Sequence, residues 1–193
     1  MQSVCVFCGS SSGDDPAYAQ VARSLGATLA ESKVRLVFGG GHVGLMGEIS
    51  NAAIAAGGDV IGVIPKFLVE RELAHERVTD LRIVGSMHER KALMADLSDA
   101  FIALPGGSGT LEEFFEVLTW AQLGEHAKPC GLLNVAGYYE PLISMFDHMV
   151  GTGFLSKADR SLLLVEDDPD RLLQRLDHYQ PPSRARWMDR SRT

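Results

Sequence analysis

Residues 100–113 read Ala100-Phe101-Ile102-Ala103-Leu104-Pro105-Gly106-Gly107-Ser108-Gly109-Thr110-Leu111-Glu112-Glu113. An unbroken apolar run stops at Pro105-Gly106-Gly107, and a helical pattern carrying Glu112 and Glu113 follows at once. Continuous apolarity in so short a run marks a strand covered on both faces, as in a parallel sheet. Glycines between strand and helix leave backbone N–H groups open, and the helix start adds partial positive charge. That combination suits an anion such as a phosphate. No Lys-Ser or Lys-Thr pair closes the loop, so it is not the phosphate loop of a nucleoside triphosphatase.

The same alternation extends in both directions. Apolar runs at 4–8, 35–38, 60–64, 81–84, 100–104, 130–134 and 162–165 predict seven strands. Helical periods at 16–33, 45–56, 87–97, 110–123, 141–150 and 169–179 fall between them, with a polar stretch over 66–80. Pro16 behind Asp14 and Asp15 has the character of a first helical residue, and Gly57-Gly58 that of a helix stop. Repeated strand–helix order predicts an α/β fold, a single-domain doubly wound parallel sheet of Rossmann-like type with helices on both faces. The domain is expected over residues 1–180, with an Arg-rich tail over 181–193. Three small-residue turns fall at strand ends, Gly9 to Gly13, Gly39 to Gly44 and Gly106 to Gly109, where such sheets bind ligands.

Composition narrows the class. At 193 residues, 46% hydrophobic and 22% charged, the chain has the makeup of an ordinary globular protein rather than a disordered one. No apolar run approaches the roughly 18 residues of a membrane span, and the first basic residue is Arg23, unlike a secretory signal. Three cysteines, Cys5, Cys8 and Cys130, are an odd, sparse set that points to a reducing compartment, read here as the cytoplasm. Net charge is −7; residues 184–193 carry +3, so the first 183 carry −10. An acidic body argues against nucleic-acid binding and requires local donors for any anionic substrate.

Other motifs have competing readings. Gly39-Gly40-Gly41-His42-Val43-Gly44 fits a dinucleotide loop, but the end of the next strand reads Ile64-Pro65-Lys66, without the acid that would hold a ribose. A wall or cradle at the site, or a turn that needs glycine for packing, remain for it. In Thr110-Leu111-Glu112-Glu113 the spacing also fits a capping box, with Glu113 bonded to its own helix start. Met87-His88-Glu89-Arg90-Lys91 opens the preceding helix. Arg90 and Lys91 point to different sides, one toward the site and the other toward solvent or a partner. Cys5 and Cys8, three apart on a strand, face opposite ways and suit neither a redox pair nor a metal. The six histidines are scattered, and no metal is expected. Phe114, Phe115 and Trp120 are expected to pack in the core or at a dimer interface, with base stacking as the lesser alternative.

Assembled, these residues resemble the LONELY GUY family, the cytokinin riboside 5′-monophosphate phosphoribohydrolases. The family pattern P-G-G-x-G-T-x-x-E is met by Pro105, Gly106, Gly107, Gly109, Thr110 and Glu113. Met87-His88-Glu89-Arg90-Lys91 and the Gly39 to Gly47 loop with Leu45-Met46 match as well, and the similarity runs from Val4 to about Leu176.

The resemblance implies hydrolysis of the N-glycosidic bond of an adenosine 5′-monophosphate, modified at N6 or not, releasing free base and ribose 5-phosphate. It implies Arg90 and Glu113 as the catalytic pair. Gly107, Ser108, Gly109 and Thr110 are implied as the phosphate cradle, and Glu72, Lys91, Gly106 and Thr119 as further binding positions. Gly9, Ser10, Gly40, Gly41 and Met87 are expected nearby. No cofactor is implied, and a homodimer with sites near the subunit interface is. The alternative is a non-catalytic nucleotide or molybdenum-cofactor carrier of similar fold.

Overall fold

The structure is a computed structural model that describes residues 1–71 and 73–182. The Arg-rich stretch of the expected tail and Glu72 lie outside the described residues. Seven strands, β1 (Ser3–Phe7), β2 (Arg35–Phe38), β3 (Val60–Pro65), β4 (Asp80–Val84), β5 (Ala100–Ala103), β6 (Cys130–Leu133) and β7 (Leu163–Glu166), form one sheet ordered β4-β3-β2-β1-β5-β6-β7. Every neighbouring pair is parallel. The α/β Rossmann-like class is therefore the observed one, and all seven predicted strands occur within a residue or two of their expected ends.

Helices α1 (Pro16–Glu31), α2 (Gly44–Ala55), α3 (Lys66–Val69), α4 (Met87–Asp96), α5 (Ser108–Leu123), α6 (Glu140–Gly151), α7 (Lys157–Arg160) and α8 (Pro169–Asp177) connect the strands. Strand β1 shows how two cores arise. Val4 and Val6 pack with the side chains of α1, α2 and α8, whereas Cys5 and Phe7 pack with those of α4, α5 and α6. Each fully buried Leu or Phe in these layers contributes roughly 1.5–3 kcal/mol of apolar burial. Cys5 and Cys8 fall in different layers, as their spacing requires. All three thiols are free and buried, and burial pushes each of their pKa values up.

Two four-residue helices, α3 and α7, escaped sequence reading. The stretch at 66–80 carries the four-residue α3, too short to show a helical stripe. Strand β4 is only partly buried, with Ile83 exposed and the Arg82–Asp80 pair at the surface. It lies at the sheet edge, so only one side of it has a strand neighbour.

The strand order decides where the site lies. From β1 the chain winds outward through β2 and β3 to β4, then returns to place β5 on the other side of β1. The loops after β1 and β5 therefore leave the sheet at the switch point where open α/β sheets bind ligands. Here they touch: the Gly9 amide donates to the Pro105 carbonyl at 3.0 Å. A Cβ on Gly9 would stand 3.3 Å from Gly106 Cα and 2.8 Å from the Ser11 carbonyl oxygen.

Candidate active site

Beyond the switch point lies a cleft of about 450 Å³, within the range of small-molecule sites. One wall is the start of α5. Gly107 occupies the N-cap position, and no side chain caps the helix. Gly107 and Gly109 line the cleft, and a Cβ on either would meet nothing within 4 Å. The bare first turn thus opens its backbone donors to the cleft, and the helix dipole favours an anion there.

Because the helix starts at Ser108, Thr110 is its third residue rather than its cap. The capping-box geometry is thereby lost, and Glu113 turns elsewhere. Its Oε1 accepts from Arg90 Nη1 at 2.9 Å, and the two side chains are only about a tenth exposed. Arg90 is fixed from three elements at once. Its Nε donates to the Val63 carbonyl at 3.1 Å and its Nη2 to the Gly39 carbonyl at 3.3 Å. The start of α4 aims it: Ser86 Oγ accepts from the Glu89 amide, and Glu89 Oε2 accepts from the Gly85 amide. Ser86-Met87-His88-Glu89 was a legible start signal for this helix.

Burial pushes the Glu113 pKa up; the Arg90 guanidinium opposes that rise without cancelling it. A carboxylate held in a cleft against its desolvation cost is the type of group that functional sites tune. Gly39 owes its identity to Arg90. A Cβ there would lie only 1.9 Å from Nη2. Gly39→Ala is expected to force the guanidinium off both Gly39 and Glu113. Turnover should fall at least about tenfold, the cost of one well-placed interaction of ~1.4 kcal/mol. Steady-state kinetics alongside a thermal melt would check this, and unchanged turnover would count against the Arg90 geometry.

The opposite wall is apolar: Val43 and Met46 beside α2, Ile64 from β3, Leu68 from α3, and Leu73. Leu73 is brought in by backbone pairing of 73–75 with 40–42, through His42 N to Leu73 O at 3.1 Å and His75 N to Gly40 O at 2.8 Å. The Gly39 to Gly44 loop was one expected wall, but the part contributed by Leu68 and Leu73 was not. Its one signal was Leu68 and Leu73 standing in a polar stretch.

Of the expected site residues, Gly9, Ser10, Gly41, Met87, Arg90, Gly107, Ser108, Gly109, Thr110 and Glu113 line this cleft. Gly106 lines a neighbouring cavity instead. Gly40 has a left-handed φ of 73° and packs on Val63 and Ile64, so it shapes the loop from behind. Lys91 does not itself line the cleft; it pairs with Glu112 at the cleft's edge and, at 3.2 Å, with Glu116. Its bond to Glu112 raises its pKa. Thr119 is exposed on the outer face of α5. His88 is exposed and outside the cleft lining. Phe114 is fully buried in the core, while Phe115, which stacks on Phe146 at 5.7 Å, and Trp120 are partly buried and pack against it. Among the described residues no cluster of His, Cys, Asp and Glu is suited to a metal.

A doubly wound sheet with an uncapped helix start and a buried Arg–Glu pair at its switch point makes this an α/β protein whose cleft suits an anionic ligand beside a carboxylate. The chain belongs to the LONELY GUY family. A family model described as "Possible lysine decarboxylase" matches residues 46–176. A probable cytokinin riboside 5′-monophosphate phosphoribohydrolase of Oryza sativa subsp. japonica is 54% identical over 178 residues, covering 92% of this chain and 78% of the relative. A cytokinin riboside 5′-monophosphate phosphoribohydrolase of Rhodococcoides fascians is 55% identical over 168 residues, covering 86% and 85%. Among solved structures, the molybdenum cofactor carrier protein of Chlamydomonas reinhardtii superposes with a TM-score of 0.72 at 23% identity, covering 92% of this chain and 99% of that one. At that identity the likeness concerns the fold alone.

The description of the family model would call for a pyridoxal cofactor on a lysine. The chain has five lysines, Lys33, Lys66, Lys91, Lys128 and Lys157, and none lines the cleft. The residues present do not fit that group.

Proposed function

We propose that the protein hydrolyses the N-glycosidic bond of an N6-modified adenosine 5′-monophosphate, yielding free base and ribose 5-phosphate. The observation that carries this reading is the buried Glu113–Arg90 pair standing one wall away from an open helix start. Glu113 lies five residues past Ser108, about 7.5 Å along the helix axis, roughly the reach of a pentose 5-phosphate. A phosphate on the first turn of α5 then presents the sugar ring to the carboxylate, and the base extends toward the apolar wall of Met46, Leu68 and Leu73. N6 substituents of cytokinin type are apolar and suit that wall.

Cleavage of the C1′–N bond sends its electron pair to the base and leaves positive charge on the sugar. The Glu113 carboxylate stabilises that charge and orients water; hydroxide equivalent adds to C1′ and the remaining proton goes to the departing base. Arg90 keeps the carboxylate ionised and in place. A pure carrier of an anionic ligand gains nothing from a carboxylate beside that anion, which favours the hydrolase over the carrier reading.

A homodimer accompanies this reading. Glu112, Glu116 and Thr119 form one stripe along α5 that starts at the cleft and runs outward, so Thr119 can serve a site only from a neighbouring subunit. Residues 1–180 act as one unit, and three buried free thiols suit a reducing, cytoplasmic setting. Purified protein incubated with N6-isopentenyl-AMP, AMP, the matching nucleosides and other monophosphates tests the proposal. Release of base from the monophosphates and not from the nucleosides is expected. No release from any of them would leave the carrier reading standing.

A further inference from the structure

The loop that opens α5 owes its shape to donors outside it. Three consecutive carbonyls are each held: Leu104 by the Tyr139 hydroxyl at 2.6 Å, Pro105 by the Gly9 amide at 3.0 Å, and Gly106 by the Tyr138 hydroxyl at 2.6 Å. Tyr139 is buried, and its bond lies in the core. Tyr138 is different. It is 40% exposed and lines a second cavity, of about 300 Å³, which shares Gly9, Ser10 and Gly107 with the main cleft. The Gly106–Gly107 peptide is thus the partition between the two spaces. In a trans peptide the C=O and the following N–H point in opposite directions. The Gly106 carbonyl is drawn toward Tyr138 on the side of the second cavity, so the Gly107 N–H is turned to the cleft.

The chain holds Tyr138 there by a tight turn. Residues Val135–Gly137 form a 3₁₀ turn in which Ala136 and Gly137 have left-handed φ values of 50° and 73°. A residue with a Cβ rarely adopts that conformation. Asn134 pins the turn, its Oδ1 accepting from the Tyr139 amide and its Nδ2 donating to Glu140, each at 2.7 Å. Tyr18 packs edge-on to the Tyr138 ring, 5.7 Å between centroids. Glycine at 106 and 107 leaves this peptide free to rotate in the absence of such a bond.

We infer that Tyr138 is a positioning residue for the phosphate: from behind the partition, its hydroxyl fixes the Gly106–Gly107 peptide so that the Gly107 N–H faces the sugar phosphate. The inference rests on the proposed site for a nucleoside 5′-monophosphate but not on its hydrolysis. Tyr138→Phe keeps the ring and its packing and deletes only the hydroxyl. For the variant, KM for N6-isopentenyl-AMP should rise about three- to tenfold, as for one lost hydrogen bond to a charged ligand's cradle, with kcat within about twofold. Calorimetric Kd for ribose 5-phosphate should weaken by the same factor, while that for N6-isopentenyladenine, which lacks phosphate, stays constant. The unfolding midpoint should move by no more than about 2 °C. Unchanged ribose 5-phosphate affinity, equal weakening of both ligands, or a wild-type protein that binds no sugar phosphate would each overturn the inference. Failure of the hydrolase reading is separable, because the calorimetry needs no turnover.

Discussion

Glu113→Gln should lower kcat for base release by about 10²- to 10⁴-fold, the span typical of a lost acid–base or charge-stabilising group. Gln has the shape of Glu and retains an oxygen to accept from Arg90 Nη1, while Arg90 keeps its bonds to the Val63 and Gly39 carbonyls. The fold should therefore survive, as circular dichroism would show. What is lost is the negative charge beside the developing cation, so KM should move far less than kcat. The wild-type activity should also decline at acid pH. Burial holds the Glu113 pKa above its ordinary value of 4.5, so the carboxylate takes up its proton at higher pH than a solvent-exposed glutamate does. The acid limb of the kcat profile should accordingly lie above 4.5. Near-normal turnover in Glu113→Gln, or an acid limb at the ordinary carboxylate position, would remove Glu113 from the chemistry.

Arg90→Met should damage both stability and activity, in a pH-dependent way. Removing one partner of a buried ion pair leaves the other charge uncompensated, a cost of about 3–5 kcal/mol. For a chain of this size that corresponds to roughly 6–20 °C in Tm. The sign with pH follows from Glu113. Its folded-state pKa is already raised, and losing the guanidinium, which opposes that rise, raises it further. A carboxyl with a raised folded pKa favours the folded state below its unfolded pKa, and that support is lost as pH rises through the folded value. The deficit of Arg90→Met relative to wild type should therefore be largest near neutral pH and shrink toward pH 4. Residual activity should show its acid limb displaced upward from wild type. Arg90→Lys keeps the charge but cannot reach Val63, Gly39 and Glu113 together from one point charge, so it should recover stability only in part. Equal melting deficits at neutral and acid pH would show that Glu113 is not the group left exposed to the loss.

Much of this candidate site is legible in the sequence itself. Apolar runs closed by glycine or proline located the strands, because a strand buried on both faces leaves no room for polar side chains. The Ala100–Glu113 segment reveals a strand, a bare turn and an acid-bearing helix in one reading. Other features were not legible. Thr110 and Glu113 have capping-box spacing, and only the actual start of α5 at Ser108 separates the two fates of that carboxylate. Arg90 and Lys91 are adjacent and alike in charge, and the packing of α4 against β3 and α5 decides that the first enters the cleft while the second pairs with Glu112 and Glu116. Leu68, Leu73 and Tyr138 carried no periodic signal, since they sit on four-residue or irregular segments.

Local pattern thus specified the parallel α/β class and the glycine turns at strand ends, and marked Glu113 as a candidate without settling where it points, because periodicity and turn chemistry act over a few residues. The meeting of Gly39, Val63, Arg90 and Glu113, drawn from four separate segments, and the placing of Tyr138 behind Gly106 came only with the folded sheet. Contacts between distant parts of a chain depend on strand order and helix rotation, which leave no mark on any short stretch of sequence.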